Sequence, residues 1–116
     1  MEFIEYSKCS TCKKAKKYLV DNNIEFIDRE IKTKTPTKEE LRSWINNYNI
    51  DIKKFFNTSG LIYRDMKLKD KLNSLSIDEK IDLLASNAML IKRPILVNSD
   101  NVLVGFKEEE WSTYLK

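Results

Sequence analysis

The strongest constraint on this chain lies in its first 31 residues, where a short apolar run, a lysine-rich helical stretch and a second apolar run follow one another. Phe3, Ile4 and Tyr6 suit a strand, which stops at Ser7-Lys8-Cys9-Ser10. From about residue 10 to residue 22, Cys12, Ala15 and Leu19 recur at i, i+3 and i+7 and give a helix one apolar face; Lys13, Lys14, Lys16 and Lys17 lie mostly off it. The Asp21-Asn22-Asn23 turn leads into Ile24-Glu25-Phe26-Ile27 and then Ile31, which read as a second strand. A β-α-β crossover requires parallel strands and a right-handed connection. It therefore puts the first strand-to-helix loop at the carboxyl edge of a sheet, where ligands usually bind.

Beyond this opening the middle of the chain reads as helical. Thr37 with Glu40 forms a capping box ahead of Leu41, Trp44, Ile45 and Tyr48 at helical spacing. A short helical piece with Ile52, Phe55 and Phe56 precedes the loop Asn57-Thr58-Ser59-Gly60. Ser76 with Glu79 opens another helix, whose apolar face is Ile77, Ile81, Leu84 and Ala85. The end changes character: Ile95-Leu96-Val97 and Val102-Leu103-Val104, separated by Asn98-Ser99-Asp100-Asn101, predict an antiparallel hairpin, and residues 108 to 115 predict a last helix carrying Trp111 and Leu115. No repeat, low-complexity tract or linker interrupts the 116 residues, so one domain, 1–116, is expected.

Composition removes several classes of chemistry. There is no histidine, so neither a Ser-His-Asp triad nor a Cys-His pair can form, and a zinc site would need cysteines and carboxylates alone. With 41% apolar residues the chain can bury a core, whereas only 2 glycines and 2 prolines argue against a many-turned β-sandwich. The lysines are interleaved with acids, leaving a net charge of +3, and read as a solvated surface rather than a nucleic-acid face. Trp44, Tyr48, Phe55 and Phe56 sit at helical spacing and read as core rather than as a base-stacking platform. No run of 18 apolar residues occurs, and MEFIEYSKCS lacks the features of a signal peptide, so a cytoplasmic protein without membrane association is expected.

The two cysteines, Cys9 and Cys12, both fall where the first strand hands over to the first helix. Cysteines at i and i+3 on a first helical turn lie within disulfide reach. The helix start also offers Cys9 unpaired N–H groups and the positive end of the dipole, both of which lower a thiol's pKa. Cys9 precedes the helix and can face solvent, while Cys12 shares the buried stripe, so Cys9 is read as the attacking thiol and Cys12 as the resolving one. Two alternatives stay open: ordinary small apolar residues, and a zinc site completed by a second chain. Ser10 and Thr11 supply backbone N–H groups for an anion at the helix start. Taken alone, Arg93-Pro94 reads as a solvated charge and a strand-opening proline.

Together, Lys8-Cys9-Ser10-Thr11-Cys12-Lys13-Lys14-Ala15-Lys16-Lys17, Phe55-Phe56-Asn57-Thr58-Ser59-Gly60, Ile91-Lys92-Arg93-Pro94 and Val104-Gly105-Phe106 resemble the thioredoxin-like group of glutaredoxin-coupled arsenate reductases and Spx-type regulators, over essentially the whole chain. The resemblance implies an α/β thioredoxin-like fold with a small mixed sheet and a helical insertion. It implies that Cys9 is a nucleophile, that Pro94 is a cis proline against the active sulfur, and that Arg93 binds an oxyanion and stabilises the thiolate. It further implies thiol–disulfide chemistry with no bound cofactor or metal, driven by an external reductant such as glutathione with glutaredoxin, or thioredoxin. Two departures stand out. Arsenate-reducing members carry further arginines in the loop matching Asn57 to Ser59 and near Phe106, and neither is present. The Cys-x-x-Cys pair is shared with the Spx-type proteins, which bind RNA polymerase and sense thiol oxidation, so a redox-switch regulator is the alternative expectation.

Overall fold

Strand β1 (Glu2–Glu5) is flanked on both sides, which is why so short a run is apolar on both faces: Phe3 and Ile4 are each fully buried. On one side β2 (Ile27–Glu30) runs parallel, with Glu2 opposite Ile27 and Glu5 opposite Glu30. On the other, β3 (Ile95–Val97) runs antiparallel with Ile4 opposite Ile95, and β4 (Val102–Val104) completes the order β2-β1-β3-β4. The expected β3–β4 hairpin forms, closed by an Asn98 N–H donating to the Asn101 carbonyl at 2.9 Å.

The computed structural model describes residues 1–115, grouped into two compact units. The first joins Met1–Ile31 to the chain from Arg93 onward and contains the sheet, and the second is Lys32–Lys92. Helix α1 (Ser10–Asp21) follows β1 and buries Cys12, Ala15 and Leu19, the stripe read from the sequence. The first unit's core joins Phe3, Ala15, Leu19, Leu96, Leu103 and Trp111, with Tyr18, Ile24, Phe26, Phe106 and Leu115 packed around them. Trp111, on the last helix (Glu108–Tyr114), is fully buried. Its ring meets Phe106 edge-on at 4.9 Å between centroids, and its Nε1–H donates to the Gly105 carbonyl at 3.1 Å. Gly105 holds φ at 77°, a left-handed conformation suited to glycine.

Two boundaries differ from the sequence reading. Tyr6 lies beyond β1, and the second strand begins at Ile27 rather than Ile24. The Ile24 N–H is spent on the Leu19 carbonyl at the end of α1, so Ile24 and Phe26 reach the core from a connecting segment instead of from a sheet. The sequence offered apolar character there, and a helix-ending turn uses it.

In the second unit, helix α2 (Lys38–Tyr48) starts at the Thr37–Glu40 capping box. Short helices α3 (Leu61–Asp65) and α4 (Leu68–Lys71) follow, and α5 (Ile77–Ser86) starts at the Ser76–Glu79 box. Lys38 pairs with Asp82 and Arg42 with Asp78, tying α2 to α5. Ile81 and Leu84 are buried, but Ile77, one turn earlier in the first turn of α5, is 56% exposed rather than part of the buried face. Trp44, Phe55 and Phe56 are buried, as a core reading requires, whereas Tyr48 is only half-buried. Among the described residues, no helix is long and apolar enough to cross a membrane.

Replacing Trp111 with Ala should cost about 3–5 kcal/mol, and Ser76→Ala about 1 kcal/mol, in the free energy of urea unfolding followed by circular dichroism. Equal losses in the two variants would contradict the assignment of Trp111 to the centre of a core.

Candidate active site

The chain leaves β1 through a turn in which the Cys9 N–H donates to the Tyr6 carbonyl at 3.0 Å. Cys9 is then extended (φ −92°, ψ 120°), which makes it the cap of α1. Its carbonyl accepts the first helical bond, from Lys13 at 3.1 Å, and its sulfur accepts the Cys12 N–H at 3.4 Å. A sulfur thus takes the place usually filled by a Ser or Asp oxygen at a helix start. The first turn of this 12-residue helix contains no acidic residue to offset its dipole. Ser10 and Thr11 are exposed at its first two positions, and their amides precede the first intrahelical bond.

Arg93 arrives from the far end of the sequence. The β1–β3 register sets Ile4 against Ile95, and its continuation brings Arg93 opposite Tyr6. The guanidinium carbon lies 5.3 Å from the centre of the Tyr6 ring, a cation–π contact. The Arg93–Pro94 bond is cis, as the resemblance implies, and the buried Pro94 accepts the Gly105 N–H on its carbonyl at 2.7 Å.

Both cysteines are thiols here, and their surroundings separate them. Partial burial pushes the Cys9 thiol up, but hydrogen bonds from the Cys12 thiol and amide, with the charge and hydrogen bonding of Arg93, outweigh it and hold Cys9 below the ordinary thiol value. Cys12, fully buried, is pushed up to about 12, first by burial and then by the neighbouring Cys9; a backbone hydrogen bond from Tyr6 opposes this. One sulfur is therefore poised to ionise while the other keeps its proton.

One turn along α1 from Cys12, Lys16 donates to Glu5 at 2.9 Å and to Asp28 at 2.6 Å. Glu5 is buried at the end of β1, and burial together with a hydrogen bond shared with Asp28 raises its carboxyl pKa against the pull of Lys16. Asp28 is held low: its own burial is outweighed by hydrogen bonds to Glu5 and Lys16. Sequence reasoning missed two of these residues. From the sequence Tyr6 reads as a strand residue, and an aromatic three positions before a cysteine is the available signal of its other role. Lys16 reads as part of a solvated lysine face, and nothing local marks it otherwise. Among the described residues, no group of three or more Cys, Asp or Glu is placed to hold a metal ion.

The profile of the ArsC family matches residues 4–114. An uncharacterised protein of Bacillus subtilis, YusI, is 47% identical over 111 residues, covering 96% of this chain and 94% of its own. The global transcriptional regulator Spx of Streptococcus pyogenes is 30% identical over 107 residues, 92% of this chain and 78% of its own. A solved structure of an ArsC-family-related protein from Bacteroides fragilis superimposes with a TM-score of 0.91 at 51% identity, covering 96% of this chain and 93% of that one. A "possible arsenate reductase" from Streptococcus mutans gives 0.86 at 45% identity, covering 96% of each chain. The mixed α/β, thioredoxin-like arrangement expected from the sequence is the one these structures share.

Alkylation by iodoacetamide should modify Cys9 at neutral pH, with a midpoint below the ordinary thiol value, and leave Cys12 untouched until strongly alkaline pH. Arg93→Met should move the Cys9 midpoint upward, because it removes a nearby positive charge; an unmoved midpoint would exclude Arg93 from the sulfur's electrostatics. Lys16→Met should lower stability at about pH 8 and matter less at about pH 4. Glu5, whose carboxyl is held above its ordinary value, takes up a proton before Asp28 as the pH falls and leaves Lys16 with one ionised partner instead of two. Thermal unfolding of both proteins at the two pH values checks the sign.

Proposed function

The chain belongs to the ArsC family, and on that premise we propose that it is a thiol–disulfide oxidoreductase in which Cys9 attacks and Cys12 resolves. The observation that carries the reading is the Cys9 sulfur at the cap of α1, held toward the thiolate by the Cys12 amide and Arg93 while Cys12 stays protonated. The Cys9 thiolate attacks one sulfur of an oxidised substrate, forms a mixed disulfide and expels the other sulfur as a thiolate. That step removes the negative charge beside Cys12, so the Cys12 thiol becomes easier to ionise. Cys12 then attacks the Cys9 sulfur, its proton passes to the departing thiolate, and a Cys9–Cys12 disulfide remains. Two electrons have moved from the protein to the substrate. An external dithiol, thioredoxin or glutaredoxin with glutathione, returns the pair to thiols.

The family also suggests arsenate, where Cys9 would bond to arsenic with loss of water and the attack of Cys12 on the Cys9 sulfur would release arsenite and leave the same disulfide. The charge of arsenate would meet Arg93 and the amides of Ser10 and Thr11 at the start of α1, with Pro94 shaping the wall beside the sulfur. A protein cycling through a reducible disulfide works where thiol reductants are abundant, and the cytoplasm is the compartment this reading implies. The identity to Spx supports a second reading, in which the same disulfide switches binding to RNA polymerase rather than completing a turnover.

With a model disulfide or with arsenate, supplied in turn with each reductant, Cys9→Ser should lose at least about a thousandfold in rate. Cys12→Ser should accumulate a mixed disulfide on Cys9, visible by intact mass. Turnover that survives Cys9→Ser would sink the proposal. A Cys9–Cys12 disulfide that forms without turnover, together with RNA polymerase captured only by the oxidised protein, would move the assignment to the regulator.

A further inference from the structure

A cavity of about 420 Å³ in the Lys32–Lys92 unit is lined by Thr58, Ser59, Tyr63, Arg64, Lys67 and Lys69, among others. Its size falls in the range of small-molecule sites, roughly 300–1,000 Å³. Three features of the backbone assemble its wall. The turn after Asn57 closes with the Gly60 N–H on the Asn57 carbonyl at 3.1 Å and presents the neighbouring hydroxyls of Thr58 and Ser59. A Cβ at position 60 would lie 2.7 Å from Asn57 Nδ2, the movable end of a side chain, and 3.3 Å from the Asn57 carbonyl oxygen, so glycine lets the turn close without displacing the Asn57 side chain. Lys67 then takes a left-handed conformation (φ 54°, ψ 40°) between α3 and α4, which redirects the chain and brings Arg64, Lys67 and Lys69 around one concavity.

The fold does not neutralise this charge. Elsewhere in the same unit Lys38 and Arg42 are paired with Asp82 and Asp78. Among the described residues, Arg64, Lys67 and Lys69 make no ion pair, although they share a cavity with one carboxylate, Asp70. Arg64, Lys67, Lys69 and Asp70 are all exposed, so the three cations stand at the rim of this concavity within reach of an anion from solution. An Arg fork, two ammonium groups and two hydroxyls form a donor set that suits the tetrahedral oxygens of a phosphate. Asp70 can only accept hydrogen bonds when ionised, so it calls for donors on the ligand's other end, such as sugar hydroxyls. The half-buried ring of Tyr63, set edge-on against Phe56 at 6.3 Å, gives that end an apolar wall.

We propose that this cavity is a binding site for a sugar phosphate, with the phosphate on Arg64, Lys67 and Lys69 and the sugar hydroxyls on Asp70. The site goes beyond the thiol chemistry and does not depend on it.

The test titrates the full-length protein with ribose 5-phosphate, inorganic phosphate and ribose, and follows backbone amides by NMR. Ribose 5-phosphate should give saturable shifts at residues 58–70 and bind more tightly than inorganic phosphate; ribose alone should give none. Arg64→Gln with Lys69→Gln should weaken binding at least about tenfold while the remaining spectrum stays that of the folded protein. Asp70→Asn should bring ribose 5-phosphate toward the affinity of inorganic phosphate, and Cys9→Ser should bind as the wild type does. Absence of saturation into the millimolar range, unchanged affinity in the double variant, or loss of binding in Cys9→Ser would each overturn the proposal.

Discussion

The hydrogen bond from the Cys12 amide to the Cys9 sulfur is the interaction on which the rest of the site depends. It exists because β1 ends at Glu5, a turn anchored on the Tyr6 carbonyl follows, and Cys9 is left extended as the cap just before a helix. Helix starts leave backbone N–H groups without partners, and here a sulfur answers one of them. The three-residue spacing that makes this bond also puts Cys12 on the stripe buried with Ala15 and Leu19. Capping one thiol and burying the other are thus two results of a single helical register, and they push the two pKa values apart.

The sheet supplies what the helix start lacks. Antiparallel pairing of β1 with β3 carries Arg93 to Tyr6 and gives the Cys9 sulfur a neighbouring cation that lowers its pKa. The hairpin and the Trp111-centred core hold that strand in place, with the Gly105 carbonyl accepting the indole N–H and the Gly105 N–H donating to the Pro94 carbonyl. The core therefore has a chemical role, because a shift of β3 along β1 would withdraw the arginine from the sulfur. On the other side of β1, Lys16 joins the buried Glu5 to Asp28 and ties the CxxC-bearing helix to the two parallel strands.

Features written in short-range spacing were legible before the fold was known. The α1 stripe, both capping boxes, the four-residue hairpin turn and the Cys-x-x-Cys pair at a strand-to-helix handover all depend on residues within about two helical turns of each other. The errors came where local character served a different tertiary purpose. Ile24 and Phe26 read as strand because they are apolar, yet they enter the core from a turn. Ile77 fitted the apolar face of α5 but lies in its first turn, ahead of the buried Ile81 and Leu84.

By itself, then, the sequence determined that Cys9 would stand just before a helix and Cys12 would be buried on it, since a helix's 3.6-residue period and the demands of its first turn are local properties. Family resemblance extended this to Arg93 and to a cis Pro94. Only the tertiary structure decided that Arg93 stands over Tyr6, that Lys16 serves two carboxylates rather than solvent, and that Cys12 is held near 12 while Cys9 is lowered. These depend on burial and on charges brought together from opposite ends of the chain. Strand pairing sets such distances, and the spacing of residues within any one segment does not encode them.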